Sequence, residues 1–304
     1  MILANYDKLV LWGAHGDLDS LRHIWHHYRD TANKLGIVAL TVPDVESSQA
    51  HLTPGTLCLA ADVWSKGIGT ARPGVDYVLH NFSGTDPLPA SLEATPERLL
   101  RLQVYTTDSH GEQWDKYRFY SKEGRILFQP WGTDLLPEEF FDPVYNLQSN
   151  EVTFVGAIWS DQYQGTELGN EQVINELREL LKERGLRFRA LTHITDTENL
   201  SAVRTARLAP AFAGSWQVDH DYLPCRVFKN VSYGAIAITN VRAFKFLFQD
   251  CGLKGFTVAE LLDEALSLKR NQYAEMVREQ QRVVSHYSYR DSLVAIERAL
   301  EEGR

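Results

Sequence analysis

The 304-residue sequence predicts an α/β protein made of two units, each a doubly wound parallel sheet. Three observations lead there. Short apolar runs alternate with amphipathic stretches of helical period through both halves. Several runs are apolar throughout rather than alternating, the pattern of strands buried on both faces. A stretch with little periodicity and two prolines, LLPEEFFDPVYNLQSN (135–150), separates the halves as a linker.

In chain order, KLVLW (8–12) is a buried strand ending at GAHGD. SLRHIWHHYRDTANKLG (20–36) is a helix: Leu21, Ile24, Trp25, Tyr28, Ala32 and Leu35 share one face, and Gly36 stops it. IVALTV, TLCLAAD, DYVLHNF, LQVYTTD (102–108) and RILFQPW are the following strands. The second half opens with the strand EVTFVG (151–156). The helix NEQVINELRELLKERG (170–185) follows, with Asn170 as its cap and Gly185 as its end. LRFRAL and RLAPAFAG (207–214) are further strands, and LPCRVFKNVSYGAIAITN (223–240) reads as a helix followed by a strand, AIAIT. The chain is helical from Val258 onward. The expected boundaries are 1–145 for the first domain, 146–285 for the second, and 286–304 for a C-terminal helix packing back towards the first.

Composition narrows the function classes. A net charge of −9 argues against nucleic acid as a partner, because phosphate binding along a duplex needs a basic field. A local basic pocket for one small anion is compatible with it. Cys58, Cys225 and Cys251 are odd in number and widely spaced, which suggests a reducing, cytoplasmic home. The N-terminal residues meet charge and glycine too early for a signal peptide, and no run approaches the ~20 apolar residues of a membrane helix. No G-x-G-x-x-G follows the first strand and no Walker loop is present, which disfavours NAD-type and P-loop readings.

The stretch at 223–240 carries the strongest functional signal. On a helical wheel Val227, Phe228 and Val231 fall on one side, and Arg226, Lys229, Asn230 and Tyr233 on the other. Pro224 suits the first turn and Gly234 the stop. The polar face is either a solvated basic face or an anion site at the carboxyl end of a strand, where parallel sheets bind ligands. Arginine offers a fork of donors suited to phosphate. Arg226 alternatively pairs with Asp219 or Asp221.

This stretch resembles the donor-binding motif of GT-B glycosyltransferases, and of the CgeB-like group in particular, where R-x-F-E-x-x-x-x-G precedes a small apolar strand. Arg226, Phe228 and Gly234 fit the pattern, and Lys229 stands where that family usually has Glu. The matching acidic pair of the wider family would be Asp221 and Lys229. FQPWGTDLLPEEF (128–140), EVTFVGAIWSD (151–161) and VVSHYSYRDSLVAIERAL (283–300) are similar to further segments of such enzymes, so the resemblance covers about residues 125–300. It implies two Rossmann-like domains with a cleft between them. It also implies transfer of a sugar from a nucleotide-diphosphate sugar to the hydroxyl of a glycan or small-molecule acceptor, without a metal or cofactor. Arg226, and Lys229 after it, would stabilise the leaving diphosphate. Gly156, Ala157, Asp221, Asn230 and Tyr233 would complete the donor site.

On the acceptor side, Gly13 and Gly16 permit a tight turn after the first strand, and His15 and Asp17 sit where a general base is needed. His80, Asn81, Asp108 and His110 follow other strands and are secondary candidates. His23, His26 and His27 have spacing that could hold a metal, but no acidic or cysteine partner is evident for them, so a solvated helical face is expected. Two rival readings remain: a nucleotide-sugar epimerase on the same fold, and a nucleotide- or carbohydrate-binding component without turnover.

Overall fold

A computed structural model describes residues 3–12, 20–43, 49–61, 71–80, 98–103, 125–163, 166–219 and 221–302. The chain divides into two compact units, Met1–Pro130 with Tyr289–Arg304, and Trp131–Ser288. No helix among the described residues is long and apolar enough to cross a membrane.

The first unit holds strands β1 (Lys8–Trp12), β2 (Val38–Val42), β3 (Thr56–Ala61), β4 (Asp76–His80), β5 (Leu99–Gln103) and β6 (Arg125–Phe128). All pair in parallel, in the order β2-β1-β3-β4-β5-β6. Leu9, Val10, Leu11 and Trp12 are wholly buried, as a central strand covered on both faces requires. Helix α1 (Ser20–Lys34) packs on β1 and β2 through Ile24, Trp25, Tyr28 and Ala32. Of the strand expected at 102–108, residues 102–103 lie in β5, where Leu99, Leu100 and Leu102 are fully buried, and residues 104–108 lie outside the described residues.

In the second unit, β7 (Glu151–Val155) pairs in parallel with β8 (Arg187–Leu191), Val155 opposite Leu191. Between them runs α2 (Glu171–Glu183), which buries Ile174, Leu177 and Leu181. Helix α3 (Asp196–Thr205) starts at a capping box in which the Thr195 hydroxyl accepts from Glu198 N. The helices α4 (Ser215–Asp219), α5 (Cys225–Ser232), α6 (Ala243–Phe248), α7 (Val258–Ser267) and α8 (Arg270–Val284) complete the unit. The final helix, α9 (Tyr289–Glu301), belongs to the first unit, where Ser292 Oγ lies 3.0 Å from Tyr28 Oη.

The strands expected at 207–214 and 235–239 are extended segments rather than regular strands. The first touches β7 at a single bridge, Val152 with Leu208, and Thr153 N donates to Leu208 O. Pro210 has no N–H to continue a ladder. The second touches the first where Ala211 N donates to Ile238 O. Its own donors turn instead to α8: Ile236 N to Tyr273 Oη and Ala237 N to Gln280 Oε1. Residues 135–150 are not a free tether either. Phe141 N donates to Ser232 O and Val144 N to Gly234 O, which fastens that stretch to the end of α5.

Candidate functional site

The site is built at the carboxyl ends of β7 and of the extended segment 208–213. Both ends offer backbone carbonyls, and Arg226, in the first turn of α5, bridges them. Its Nη1 donates to Val155 O (2.9 Å) and its Nη2 to Phe212 O (3.3 Å), while its guanidinium stacks 4.7 Å from the centre of the Phe154 ring. These contacts occupy part of a five-donor fork. No carboxylate among the described residues lies within ion-pair distance of it, so the pairing with Asp219 or Asp221 does not form. Burial pulls the guanidinium below its ordinary pKa, while the nearby Cys225 and Tyr222 act in the opposite sense. Arginine still keeps its proton. The guanidinium is half-buried, and among the described residues it has no counter-charge, so an anion arriving at this edge would meet an unneutralised cation.

Gly156 makes the close approach feasible. Its φ is +143°, in the region that favours glycine, and a Cβ built there would lie 2.3 Å from Arg226 Nη1. Its N–H donates to Leu191 O (2.8 Å), so Gly156 also ties the ends of β7 and β8. Ala157, the next residue, is exposed. The loop beyond is held by Asn170, whose side chain accepts from Trp159 N (2.9 Å) and donates to Ala157 O (3.0 Å). Asn170 was expected as the cap of α2. It makes no side-chain cap hydrogen bond and instead pins the loop that follows Gly156. Its burial beside a loop was the only sign of this role, and sequence spacing does not reveal burial.

The rest of the polar face of α5 meets protein. Lys229 is buried. Its Nζ donates to Asp196 Oδ1 (2.8 Å) and lies 3.8 Å from Asp134 Oδ1. Burial pulls its pKa down, but Asp134 and Asp196 together outweigh that and leave it raised. Asn230 Nδ2 donates to Ala209 O (2.8 Å), fixing the extended segment. Tyr233 Oη donates to Asp134 at 3.0 Å, and burial, reinforced by Asp134, holds its pKa well above the ordinary value. The structure therefore does not bring Lys229, Asn230 and Tyr233 to the ligand side of Arg226. Asp221 sits in the turn before α5 with φ +49°. Asp134, which ties the segment before residue 135 to α5, was missed from sequence, because its two partners lie about a hundred residues away.

Solved structures match over nearly the whole chain. An alpha-glucosyltransferase in complex with UDP and a 13-mer DNA superposes with a TM-score of 0.63 at 11% identity, covering 97% of this chain and 99% of that one. The fold is similar to that of GT-B glycosyltransferase structures. A glycosyltransferase involved in avilamycin A biosynthesis matches with a TM-score of 0.57 and 12% identity, over 98% of this chain and 97% of that one. A DNA-modifying beta-glucosyltransferase, studied with and without its substrate uridine diphosphoglucose, gives 0.54 and 11%, over 97% and 99%. Neither a protein-family model nor a curated protein sequence matches the chain.

On this GT-B-like fold, the acceptor-side candidates Gly13, His15, Gly16 and Asp17 lie outside the described residues, as do Asn81, Asp108 and His110. His80 is described, and it is wholly buried at the end of β4. It packs edge-on to Trp25 (5.2 Å) and Tyr28 (5.8 Å), and burial lowers its pKa to about 3. A neutral histidine enclosed by aromatic rings serves packing. The expected solvated face of α1 also needs correction. His27 is buried, with its ring 5.5 Å from that of Tyr289, because α9 covers that side of the helix.

Proposed function

We propose that the chain is a glycosyltransferase of the GT-B type and of the CgeB-like group. It moves a sugar from a nucleotide-diphosphate sugar to an acceptor hydroxyl. The observation that carries this reading is Arg226: a half-buried cation with no carboxylate partner among the described residues, anchored on Val155 O and Phe212 O beside the Gly156 turn. Proteins that share the fold add support: one is an alpha-glucosyltransferase in complex with UDP, and another is a beta-glucosyltransferase whose substrate is uridine diphosphoglucose.

In this reaction the bond between the sugar's anomeric carbon and the diphosphate oxygen breaks, and the acceptor oxygen takes its place. Negative charge builds on the departing diphosphate. A guanidinium already fixed at the site stabilises that charge without reorganising, which is the condition for electrostatic catalysis. Transfer without a metal follows from the same fixed charge. Gly156 and Ala157 would supply backbone next to the phosphates. Lys229, Asn230 and Tyr233 hold α5 so that Arg226 is aimed. His15, with Asp17, is the proposed base for the acceptor proton. A glycan or small-molecule hydroxyl suits a chain of net charge −9 better than DNA does.

The test is product analysis with a panel of nucleotide-diphosphate sugars and acceptors, duplex DNA included. Acceptor-dependent release of nucleoside diphosphate is expected, reduced at least a hundredfold in Arg226→Met, about 3 kcal/mol of transition-state stabilisation. An isomerised donor formed without acceptor would instead establish the epimerase. Binding without consumption would establish the non-catalytic component.

A further inference from the structure

A second concave surface lies in the same unit, away from the donor edge. A groove of about 620 Å³ runs along α8 beside Pro143 and Tyr145, and its wall on the helix carries Arg270, Asn271, Glu275, Arg278, Glu279 and Arg282. Arg207 reaches it through Tyr145: the guanidiniums of Arg207 and Arg270 lie 5.6 and 5.9 Å from the centre of that ring. Arg207 N donates to Glu151 O at the start of β7, whereas Arg226 holds Val155 O at its end. Four residues of strand separate the two carbonyls, about 13 Å.

The protein does not neutralise these arginines. Others in the unit are matched with acids: Arg184 pairs with Asp263, Arg187 and Arg189 share Glu151, and Arg282 pairs with Glu279. The side chains of Arg207, Arg270 and Arg278 make no hydrogen bond or ion pair among the described residues. Cation–π attraction to Tyr145 positions two of the three and leaves their N–H forks open. Tyr145 is itself fixed, because its Oη donates to Leu268 O (2.5 Å). Eight residues of helix put Arg270 and Arg278 about 12 Å apart along the axis, too far for one carboxylate or phosphate to serve both. Between them the groove offers Asn271 and Glu275, which suit hydroxyls. A ligand with spaced anions separated by hydroxyls matches this order. Nucleic acid matches it poorly, since a phosphate every ~3.4 Å of each strand would be forced against Glu275 and Glu279.

We propose that this groove binds an acidic oligosaccharide, a chain of uronic-acid sugars, with Arg270 and Arg278 on its carboxylates and Asn271 and Glu275 on its hydroxyls. The site stands apart from the nucleotide reading at Arg226 and does not need it. The experiment titrates hexagalacturonate, the neutral maltohexaose and oligodeoxythymidylate into wild type, Arg270→Gln, Arg278→Gln, the double variant and Arg226→Met. Both glutamine substitutions replace exposed side chains on a helix, so the fold should persist, as unchanged melting temperatures would verify. Wild type is expected to bind hexagalacturonate, more weakly as salt rises, and to bind the other two at least tenfold less tightly. Each single variant should lose roughly tenfold in affinity for hexagalacturonate, the loss of one charge-assisted hydrogen-bonded contact. The double variant should lose more, and Arg226→Met should bind as wild type does. Equal affinity for maltohexaose overturns the proposal, because charge is then not read. Tighter binding of oligodeoxythymidylate overturns it in favour of nucleic acid. No binding of hexagalacturonate by wild type, unchanged affinity in the double variant, or an equal loss in Arg226→Met also overturns it. Each of these outcomes leaves the donor reading to its own test with nucleotide sugars.

Discussion

At the residue scale, Gly156 and Arg226 are fitted to each other. Gly156→Ala places a methyl 2.3 Å from Arg226 Nη1 at a φ of +143°. The guanidinium must then leave its two carbonyls. The expected cost is about 1–3 kcal/mol of stability and at least a tenfold loss of nucleoside-diphosphate affinity, checked by thermal melting and calorimetry. His80 makes a separate prediction. It is held neutral, with a pKa of about 3 against ~6.5 in the unfolded chain. As pH falls below ~6.5 the unfolded state takes up a proton that the folded state refuses. Stability then drops by about 1.4 kcal/mol per pH unit until His80 itself titrates near 3. Its contribution is intact above 6.5. Melting curves from pH 7 to 4 should show this slope, and His80→Gln should flatten it.

At the element scale, α5 was legible from sequence and its polar face was not. The apolar side (Val227, Phe228, Val231) is buried as its period requires. The wheel also grouped Arg226, Lys229, Asn230 and Tyr233 correctly as one face. It could not show what that face meets, because the partners Asp134, Asp196 and Ala209 come from distant segments. Lys229→Met separates the roles. It leaves Asp134 without its lysine, and a loss of about 1–3 kcal/mol is expected, reduced because Asp196 is half-exposed to solvent. The raised pKa of Lys229 means that this contribution is fully present below about pH 10.4 and is lost only as pH rises past it. Nucleotide affinity should change less than threefold. A loss as large as that of Arg226→Met would mean that Lys229 contacts phosphate directly. The two extended segments show the same limit. AIAIT reads as a central strand, yet its amides bond to Tyr273 and Gln280, and no local pattern announces a side chain forty residues on.

At the scale of the whole molecule, the α/β class and the parallel sheet were legible because continuous apolar runs such as LVLW mark strands buried on both faces. The donor-side candidates were legible in part. Arg226 and Gly156 come together, because a glycine after a strand and an arginine at a helix start both point to the carboxyl edge. Lys229, Asn230 and Tyr233 resemble ligand contacts only until their protein partners are known. Under the proposed function, Arg226, half-buried and without a carboxylate partner among the described residues, receives the donor's diphosphate. The most direct measurement is the melting temperature of wild type and Arg226→Met with saturating UDP, GDP, CDP and dTDP. Binding at a hundred times Kd stabilises by about 2.7 kcal/mol, a shift of several degrees. One nucleotide is expected to raise the wild-type melting temperature by that much and to leave Arg226→Met unmoved. No shift with any of the four, or an equal shift in both proteins, would contradict the account.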